Sequence, residues 1–222
     1  MPDDDPIARL HSALLAREFL ALDDAALAAA YPEARRGAVL ALFCPRAGEP
    51  HLVLTLRTPH LSTHSGQVSL PGGRIDPEDP TPQAAALRET REELGIETDG
   101  LEVHGPLDPV FTVASNYVLL PFVAFTSQAP KFVPHDYEVA AVIELPLQHL
   151  LRPETVEEEL WPLRGSTYRV GLYRYGQHRI WGATARVLRE ILDLAGGPAP
   201  PPDLVPPGEV AEARNLRPAR PR

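Results

Sequence analysis

The sequence predicts a mixed α/β domain, because strand-like and helix-like segments alternate along the chain. Short aliphatic runs at 38–44 and 52–57 are bounded by turn-forming residues, which is typical of strands. Segments at 82–94 and 183–195 instead carry apolar residues at helical spacing. The chain has 222 residues, 44% of them hydrophobic, which is enough to bury a core.

The ends of the chain differ in composition from its middle. Residues 6–30 are rich in Ala and Leu and predict one or two helices, interrupted near Asp23 and Asp24. After residue 197 the chain holds eight of its 26 prolines and almost no aromatic residue, a composition typical of disorder. We therefore predict a helical extension over 1–35, the main domain over 36–196 and a disordered, proline-rich tail over 197–222.

Within the main domain, turn chemistry and periodicity predict the order of elements. Thr81 can cap a helix that Pro82 begins and Gly95 ends. Loops are expected at 58–66 and 74–80, and the acidic run 157–159 is expected to be a solvated turn. Further strands are expected at 67–70, 101–103, 110–113, 117–125, 138–145, 167–175 and 179–181, with a short helix at 147–151.

Charge and composition exclude several classes of protein. The net charge of −9 argues against binding to nucleic acid or to an anionic membrane. No apolar run reaches the roughly 20 residues of a membrane helix, and the acidic N-terminus does not resemble a secretory signal. We expect a cytoplasmic protein whose partner is a small molecule. The single cysteine, Cys44, lies in an apolar run and is expected to be an inert core residue.

Three glutamates in the predicted helix 82–94 form the most informative pattern. Glu89, Glu92 and Glu93 stand at i, i+3 and i+4, which predicts that their carboxylates share one face. Carboxylates at this spacing repel each other, and a divalent cation such as Mg²⁺ or Mn²⁺ would reverse that repulsion. Gly72 and Gly73 just upstream allow a close backbone approach. The alternative interpretation is a solvated helix face of alternating charge.

The order of these residues resembles the Nudix box, G-x5-E-x7-R-E-U-x-E-E-x-G-U. The matching residues are Gly73, Arg88, Glu89, Glu92, Glu93, Gly95 and Ile96. Asp79 stands in place of the first glutamate, with eight rather than seven residues before Arg88, and Thr90 stands where an aliphatic residue is usual.

The segment before the box resembles the signature of coenzyme A diphosphatases, a Nudix subfamily in which the extra box residue is usual. The matches are Leu54, Thr55, Arg57, Gly66, Val68, Pro71, Gly72 and Gly73. The sequence differs from the signature at Ser62, where the family has arginine, and at Leu70, where it has phenylalanine.

The resemblance implies a Nudix α/β/α sandwich with a mixed β-sheet and a catalytic loop–helix. It also implies hydrolysis of the diphosphate bond of coenzyme A or its derivatives to 3′,5′-ADP and 4′-phosphopantetheine, with Mg²⁺ or Mn²⁺ as cofactor. The implied metal ligands are Gly73, Glu89, Glu92 and Glu93; the implied catalytic residues are these glutamates and Glu138, a candidate general base. The implied substrate-binding residues are Arg57, His64, Gly66 and Arg88, although Arg88 is also close enough to pair with the glutamates.

Two other functions remain open at this point. A Nudix hydrolase of ADP-ribose, a dinucleotide or a nucleoside triphosphate would share every metal ligand and differ only in the upstream segment. A non-catalytic ligand sensor on the same scaffold is a third possibility, but it would not need the complete set of glutamates.

Overall fold

Helices and strands alternate through the computed structural model, which describes residues 5–17, 24–61, 64–112, 115–163 and 166–197. The helices are α1 (Pro6–Ala16), α2 (Asp24–Ala30), α3 (Pro82–Leu94), α4 (Leu147–Leu150) and α5 (Gly182–Leu194). The strands are β1 (Arg35–Arg46), β2 (Glu49–Arg57), β3 (Val68–Ser69), β4 (Gly72–Arg74), β5 (Glu102–His104), β6 (Val110–Thr112), β7 (Tyr117–Phe125), β8 (Val139–Pro146), β9 (Val156–Leu163), β10 (Ser166–Tyr175) and β11 (His178–Ile180).

Strand β1 is the centre of a mixed sheet. It pairs with β7 in parallel and with β2 antiparallel, and β4 adds a short antiparallel pairing in which Val39 lies opposite Gly72. Strands β3 and β8 extend the sheet beyond β2, and β5 and β6 extend it beyond β7. Strands β9, β10 and β11 form a second, antiparallel sheet.

Both faces of the mixed sheet are buried, as the alternation along β1 shows. Val39, Ala41 and Phe43 point into one core with residues of α1 and α5, such as Leu10 and Leu188. Ala38, Leu40, Leu42 and Cys44 point into the opposite core, where Ala85, Ala86 and Leu94 of α3 cover them. Since successive residues of a strand point to opposite faces, β1 contributes side chains to both cores. The predicted α/β/α sandwich is confirmed.

Burial also accounts for the cysteine. Cys44 is buried in β1, as expected, and burial raises the pKa of its thiol to about 11. At neutral pH the thiol is therefore protonated, and a protonated thiol is a poor nucleophile and metal ligand.

Two strands were not expected from the sequence. Residues 72–74 form β4, although the expected strand ended at residue 70 and a loop was expected from Arg74. The acidic run 157–159, expected to be a solvated turn, lies within β9. The turn prediction was wrong because the charges are paired across strands: Glu157 and Glu159 accept hydrogen bonds from Arg174 at 2.8 and 2.7 Å, and Glu159 accepts one from Arg179 at 3.0 Å.

Other expectations fall partly outside the described residues. The two predicted N-terminal helices are present. Most of the predicted break near Asp23 lies outside the described residues, as do Ser62, Val113 and all of the predicted tail except Gly197. The domain limits stay a prediction, and Leu10 and Leu14 of α1 belong to the same core as the sheet. Within the described part of the chain, no helix is both long and apolar enough to cross a membrane.

Candidate active site

Helix α3, which carries the glutamates, is fixed at both ends as the sequence predicts. The Thr81 side chain accepts a hydrogen bond from the Ala84 amide at 3.1 Å, and Pro82 begins the helix. At the other end Gly95 adopts a left-handed conformation with φ of 63°, and its N–H donates to the Arg91 carbonyl. The buried Ala85 and Ala86 hold one face of α3 on the sheet. These contacts set the rotation of the helix and therefore the direction of each glutamate.

The three glutamates share one side of α3 but are not equivalent in burial, a difference that their spacing did not predict. The side chain of Glu93 is 4% exposed, that of Glu89 17%, and that of Glu92 60%. Residues at i+3 and i+4 lie on either side of residue i, separated from each other by about 100° around the helix. Because α3 packs on the sheet with Glu93 on its inner side, the Glu92 side chain lies at the solvent-exposed edge of the helix. Among the described residues, these three carboxylates do not converge to within 4.8 Å of one another.

The paired glycines bring the main chain against the two inner glutamates. The Gly72 N–H donates to Glu93 Oε2 at 3.2 Å. At Gly73 there is no room for a side chain, since an added Cβ would lie 2.5–2.6 Å from the carboxylate atoms of Glu89. Gly73, Glu89 and Glu93, which the sequence predicts to be metal ligands, are thus brought together at the junction of β4 and α3.

Arg88 is held by protein acids. Its Nε and Nη2 donate to the two oxygens of Asp79, each at 3.0 Å, and Nη1 donates to Glu89 at 3.0 Å and Glu92 at 3.3 Å. Nη2 also donates to the Arg74 carbonyl. The nearly buried Asp79 therefore fixes an arginine that orients two glutamates, and Arg88 holds the pKa of Asp79 below its usual value. Substrate binding by Arg88 stays a prediction.

Arg57 ends β2 beside the buried glutamate. Its Nη1 lies 3.8 Å from Glu93 Oε1, and its side chain is mostly buried. Its Nε is buried and has no hydrogen-bond partner within the described residues. A buried donor without a partner costs about 1–3 kcal/mol, so an anionic ligand in contact with Arg57 would recover that energy. Of the predicted substrate-binding residues, two lie against inner glutamates: Arg57 beside Glu93 and Arg88 beside Glu89.

Glu138 reaches the site on a segment tied to the end of α3. The His135 amide donates to the Glu93 carbonyl at 2.9 Å, and the Val133 amide donates to the Leu94 carbonyl at 2.8 Å. The half-buried Glu138 follows, and its charge contributes to raising the pKa values of Glu89 and Glu93. The segment 133–138 thus places a fourth carboxylate close enough to interact electrostatically with Glu89 and Glu93.

Thr58 joins that segment to the loop after β2, a role that no sequence motif indicates. Its amide donates to the Glu138 carbonyl at 3.0 Å, and its hydroxyl donates to the Tyr137 carbonyl at 2.8 Å. The His60 ring also packs on the exposed Tyr137 ring, with centroids 4.8 Å apart. The upstream loop is therefore anchored beside Glu138.

His64 and Gly66 lie further along this loop. The exposed His64 ring hydrogen-bonds Gln67 Oε1 at 2.9 Å, and the Gly66 amide donates to the Arg57 carbonyl at 3.2 Å. Their predicted role in substrate binding stays a prediction.

When ionised, the inner carboxylates would carry more negative charge than their surroundings compensate. Burial is the main cause that raises the pKa of Glu93 to about 8, and the charges of Glu89 and Glu138 also raise it. The Gly72 amide and Arg57 act in the opposite direction and lower this pKa. Burial also raises the pKa of Glu89. A divalent cation would relieve this excess, and carboxylate oxygens with a glycine carbonyl are ligands that Mg²⁺ and Mn²⁺ prefer. The residues present therefore fit such an ion.

The raised pKa of Glu93 leads to an expected pH dependence of stability without metal. Between its usual value of 4.5 and about 8, Glu93 binds a proton in the folded protein but not in the unfolded chain. The free energy of unfolding should therefore decrease as pH rises through this window, by about 1.4 kcal/mol for each unit of pKa difference.

This dependence can be measured by urea unfolding at pH 5.5 and 8.5 in a chelator. Glu93→Gln should be more stable than the wild type at pH 8.5 and should lose much of the slope. An equal slope in both proteins would show that Glu93 does not titrate in this range.

Comparison with known proteins identifies the family. A model of the NUDIX domain matches residues 34–166, more than half of the chain. The chain therefore belongs to the Nudix family of hydrolases.

Curated relatives and a solved structure agree with this assignment. A protein of Enterobacter sp. (strain 638), named "Uncharacterized Nudix hydrolase NudL", is 37% identical over 157 residues, which cover 71% of this chain and 81% of the relative. A protein of the same name from Escherichia coli (strain K12) is 39% identical over 146 residues, 66% of this chain and 76% of the relative. A MutT/nudix family protein from Enterococcus faecalis matches with a TM-score of 0.50 and 15% identity over 84% of this chain and 68% of its own, which shows the fold alone.

Proposed function

We propose that this Nudix hydrolase cleaves the diphosphate bond of coenzyme A or its derivatives, giving 3′,5′-ADP and 4′-phosphopantetheine or its acyl form. The observation that carries the proposal is the position of Arg57, which lies 3.8 Å from Glu93 and belongs to the upstream segment that resembles the coenzyme A diphosphatase signature. The loop after Arg57 also contacts the segment of Glu138 through Thr58. The segment that resembles the subfamily signature therefore lies beside Glu93 and the segment of Glu138, two of the proposed catalytic acids.

The residues divide into those that hold a cation and those that handle substrate. Glu89, Glu92, Glu93 and the Gly73 carbonyl would hold Mg²⁺ or Mn²⁺. When bound, such an ion neutralises diphosphate charge and makes a bound water more acidic. Arg88, fixed by Asp79, orients Glu89 and Glu92 toward this task.

Arg57 and Glu138 complete the proposed chemistry. The guanidinium of Arg57 binds a diphosphate oxygen, which gives its buried Nε a partner and a planar, charge-assisted contact. Glu138 accepts the proton of the attacking water. Its carboxylate interacts electrostatically with Glu89 and Glu93 but does not belong to the helix that carries them.

Product analysis over a panel of diphosphate compounds tests the substrate. The protein is incubated with Mg²⁺ or Mn²⁺ and coenzyme A, an acyl-coenzyme A, ADP-ribose, a dinucleotide or a nucleoside triphosphate. We expect 3′,5′-ADP from the first two, at a higher kcat/KM than for any other compound. Faster cleavage of ADP-ribose would reject the coenzyme A assignment but keep the Nudix activity, and no turnover of any compound would favour the ligand sensor.

Arg57→Ala is expected to lower kcat/KM for coenzyme A and for dephospho-coenzyme A by the same factor, about one to two orders of magnitude. The reason is that Arg57 lies beside Glu93, at the predicted metal site, where both substrates place the same diphosphate. Steady-state kinetics on the two compounds measure the factors, with Arg57→Lys as the control that keeps the charge but not the planar fork. A much larger loss on coenzyme A would place Arg57 at the 3′-phosphate instead.

A further inference from the structure

Three potential metal ligands from distant parts of the chain meet at the junction of α1 and β5. His11 Nε2 lies 2.7 Å from Glu102 Oε1, and His104 Nε2 lies 3.1 Å from the same oxygen. One ligand atom from each residue lies within 4.8 Å of the other two, and no other such group occurs among the described residues. We refer to these three residues as the His–Glu–His cluster.

The positions of β5 and α1 bring the cluster together. Glu102 and His104 are two residues apart on β5, so their side chains leave the same face of the strand. Helix α1 supplies His11, and its position is set by the buried Leu10 and Leu14. A site prepared in this way loses little conformational entropy when it binds an ion.

The surroundings leave one side of the cluster closed and the other open. The Phe125 ring packs on the His11 and His104 rings, with centroids 5.4 and 5.8 Å away. The His104 side chain is 9% exposed, whereas the Glu102 side chain is 54% exposed. An ion can therefore approach from solvent on the side of Glu102, and a water molecule can complete its coordination there.

The ligand chemistry selects a different ion from that of the Nudix box. Two imidazole nitrogens and one carboxylate oxygen are a set that Zn²⁺ binds tetrahedrally with a water molecule in the fourth position. Mg²⁺ and Mn²⁺ prefer oxygen ligands, which the box glutamates offer and this cluster mostly lacks. Excess Mg²⁺ should therefore compete with Zn²⁺ at the box glutamates much more than at this cluster.

We propose that His11, Glu102 and His104 form a Zn²⁺ site that fastens α1 to the sheet, separate from the site of hydrolysis. The bound ion replaces the imidazole–carboxylate hydrogen bonds of the metal-free cluster and joins elements 91 residues apart in the sequence. The inference does not depend on the identity of the substrate.

The test is Zn²⁺ binding to the full chain by calorimetry and by thermal melting, with Mg²⁺ in excess to compete for the box. The wild type should bind one Zn²⁺ at the cluster, and its Tm should rise by about 5–10 °C when free Zn²⁺ is 100-fold above its Kd. Co²⁺ in place of Zn²⁺ should give the visible absorption of an ion with nitrogen ligands in low coordination.

His11→Gln is the decisive variant, because its amide can still donate to Glu102 but binds Zn²⁺ poorly. Its Tm without metal should match that of the wild type, while its Zn²⁺ affinity should fall at least tenfold and the Tm rise should disappear. Glu102→Gln, at an exposed position, provides a second test should His11→Gln fail to fold. His178→Gln on β11 is the matched control and should behave as the wild type.

Two results would overturn the proposal. The first is a wild type whose Tm and calorimetric signal do not respond to Zn²⁺. The second is a Zn²⁺ response that survives in both His11→Gln and Glu102→Gln, because such a response would come from other groups.

Discussion

Replacing Glu93 with glutamine is expected to lower kcat/KM for the diphosphate substrate by about 10²–10⁴-fold, while the protein stays folded. The activity falls because the variant loses a proposed metal ligand, and metal-assisted stabilisation of the transition state is worth several kcal/mol. The fold survives because the substitution removes a buried, poorly compensated charge and keeps an oxygen that can accept the hydrogen bond of the Gly72 amide. Without metal, the variant should melt at a higher temperature than the wild type near pH 8.5.

Two other glutamates serve as comparisons for this experiment. Glu97→Gln, at an exposed position just beyond α3, removes one negative charge and should leave both kcat/KM and Tm nearly unchanged. Glu92→Gln should lower activity without raising Tm, because its side chain is already 60% exposed and gains little from neutralisation. If Glu93→Gln unfolds the protein at neutral pH, then Glu93 is a structural partner of Arg57 rather than a metal ligand.

Local signals predicted helix α3 correctly, whereas the packing around it was not predictable. Thr81, Pro82 and Gly95 act on the helix ends within one turn, so their effect can be read from the sequence. The different burial of Glu92 and Glu93 depends on which side of the helix meets the sheet, and β1 and β4 decide this. Spacing alone therefore predicted the set of acids but not their division into inner and outer members.

Pairing between distant segments was the part that the sequence could not indicate. Strand β4 contains two glycines that were not expected to lie in a strand, but β1 provides the partner that makes it one. Strand β9 contains three consecutive acids, and two of them, Glu157 and Glu159, are compensated by hydrogen bonds from Arg174 on β10 and Arg179 on β11. The His–Glu–His cluster likewise brings together residues of the distant elements α1 and β5, and no local sequence motif indicates it.

The two adjacent glycines of β4 should respond very differently to alanine. Gly72 has φ of 142°, and a Cβ there would lie 2.3 Å from the Ala38 carbonyl oxygen and 2.6 Å from the Val39 Cα, both in the backbone of the central strand β1. Backbone cannot move aside without disturbing the sheet. Strain and overpacking together should lower the free energy of unfolding by about 3–5 kcal/mol, a large part of the stability of an ordinary domain.

Gly73→Ala should instead keep the fold and lose activity. The three atoms nearest its Cβ would all belong to the carboxylate of Glu89, the movable end of a side chain, so the free energy of unfolding should change by about 1 kcal/mol or less. The displaced carboxylate would leave its place beside Gly73, and a misplacement of about 1 Å in a catalytic group can cost about 10²-fold in rate.

Urea unfolding and steady-state kinetics on both variants separate the two effects, with Gly100→Ala as the control. Gly100 also has positive φ, at 90°, but nothing lies within 4 Å of its added Cβ, so this variant reports backbone strain alone, about 1–2 kcal/mol. Full activity in Gly73→Ala would show that Glu89 need not lie against this glycine for catalysis. A Gly72→Ala protein no less stable than Gly100→Ala would mean that the contact of β4 with β1 is looser than the register of Val39 and Gly72 implies.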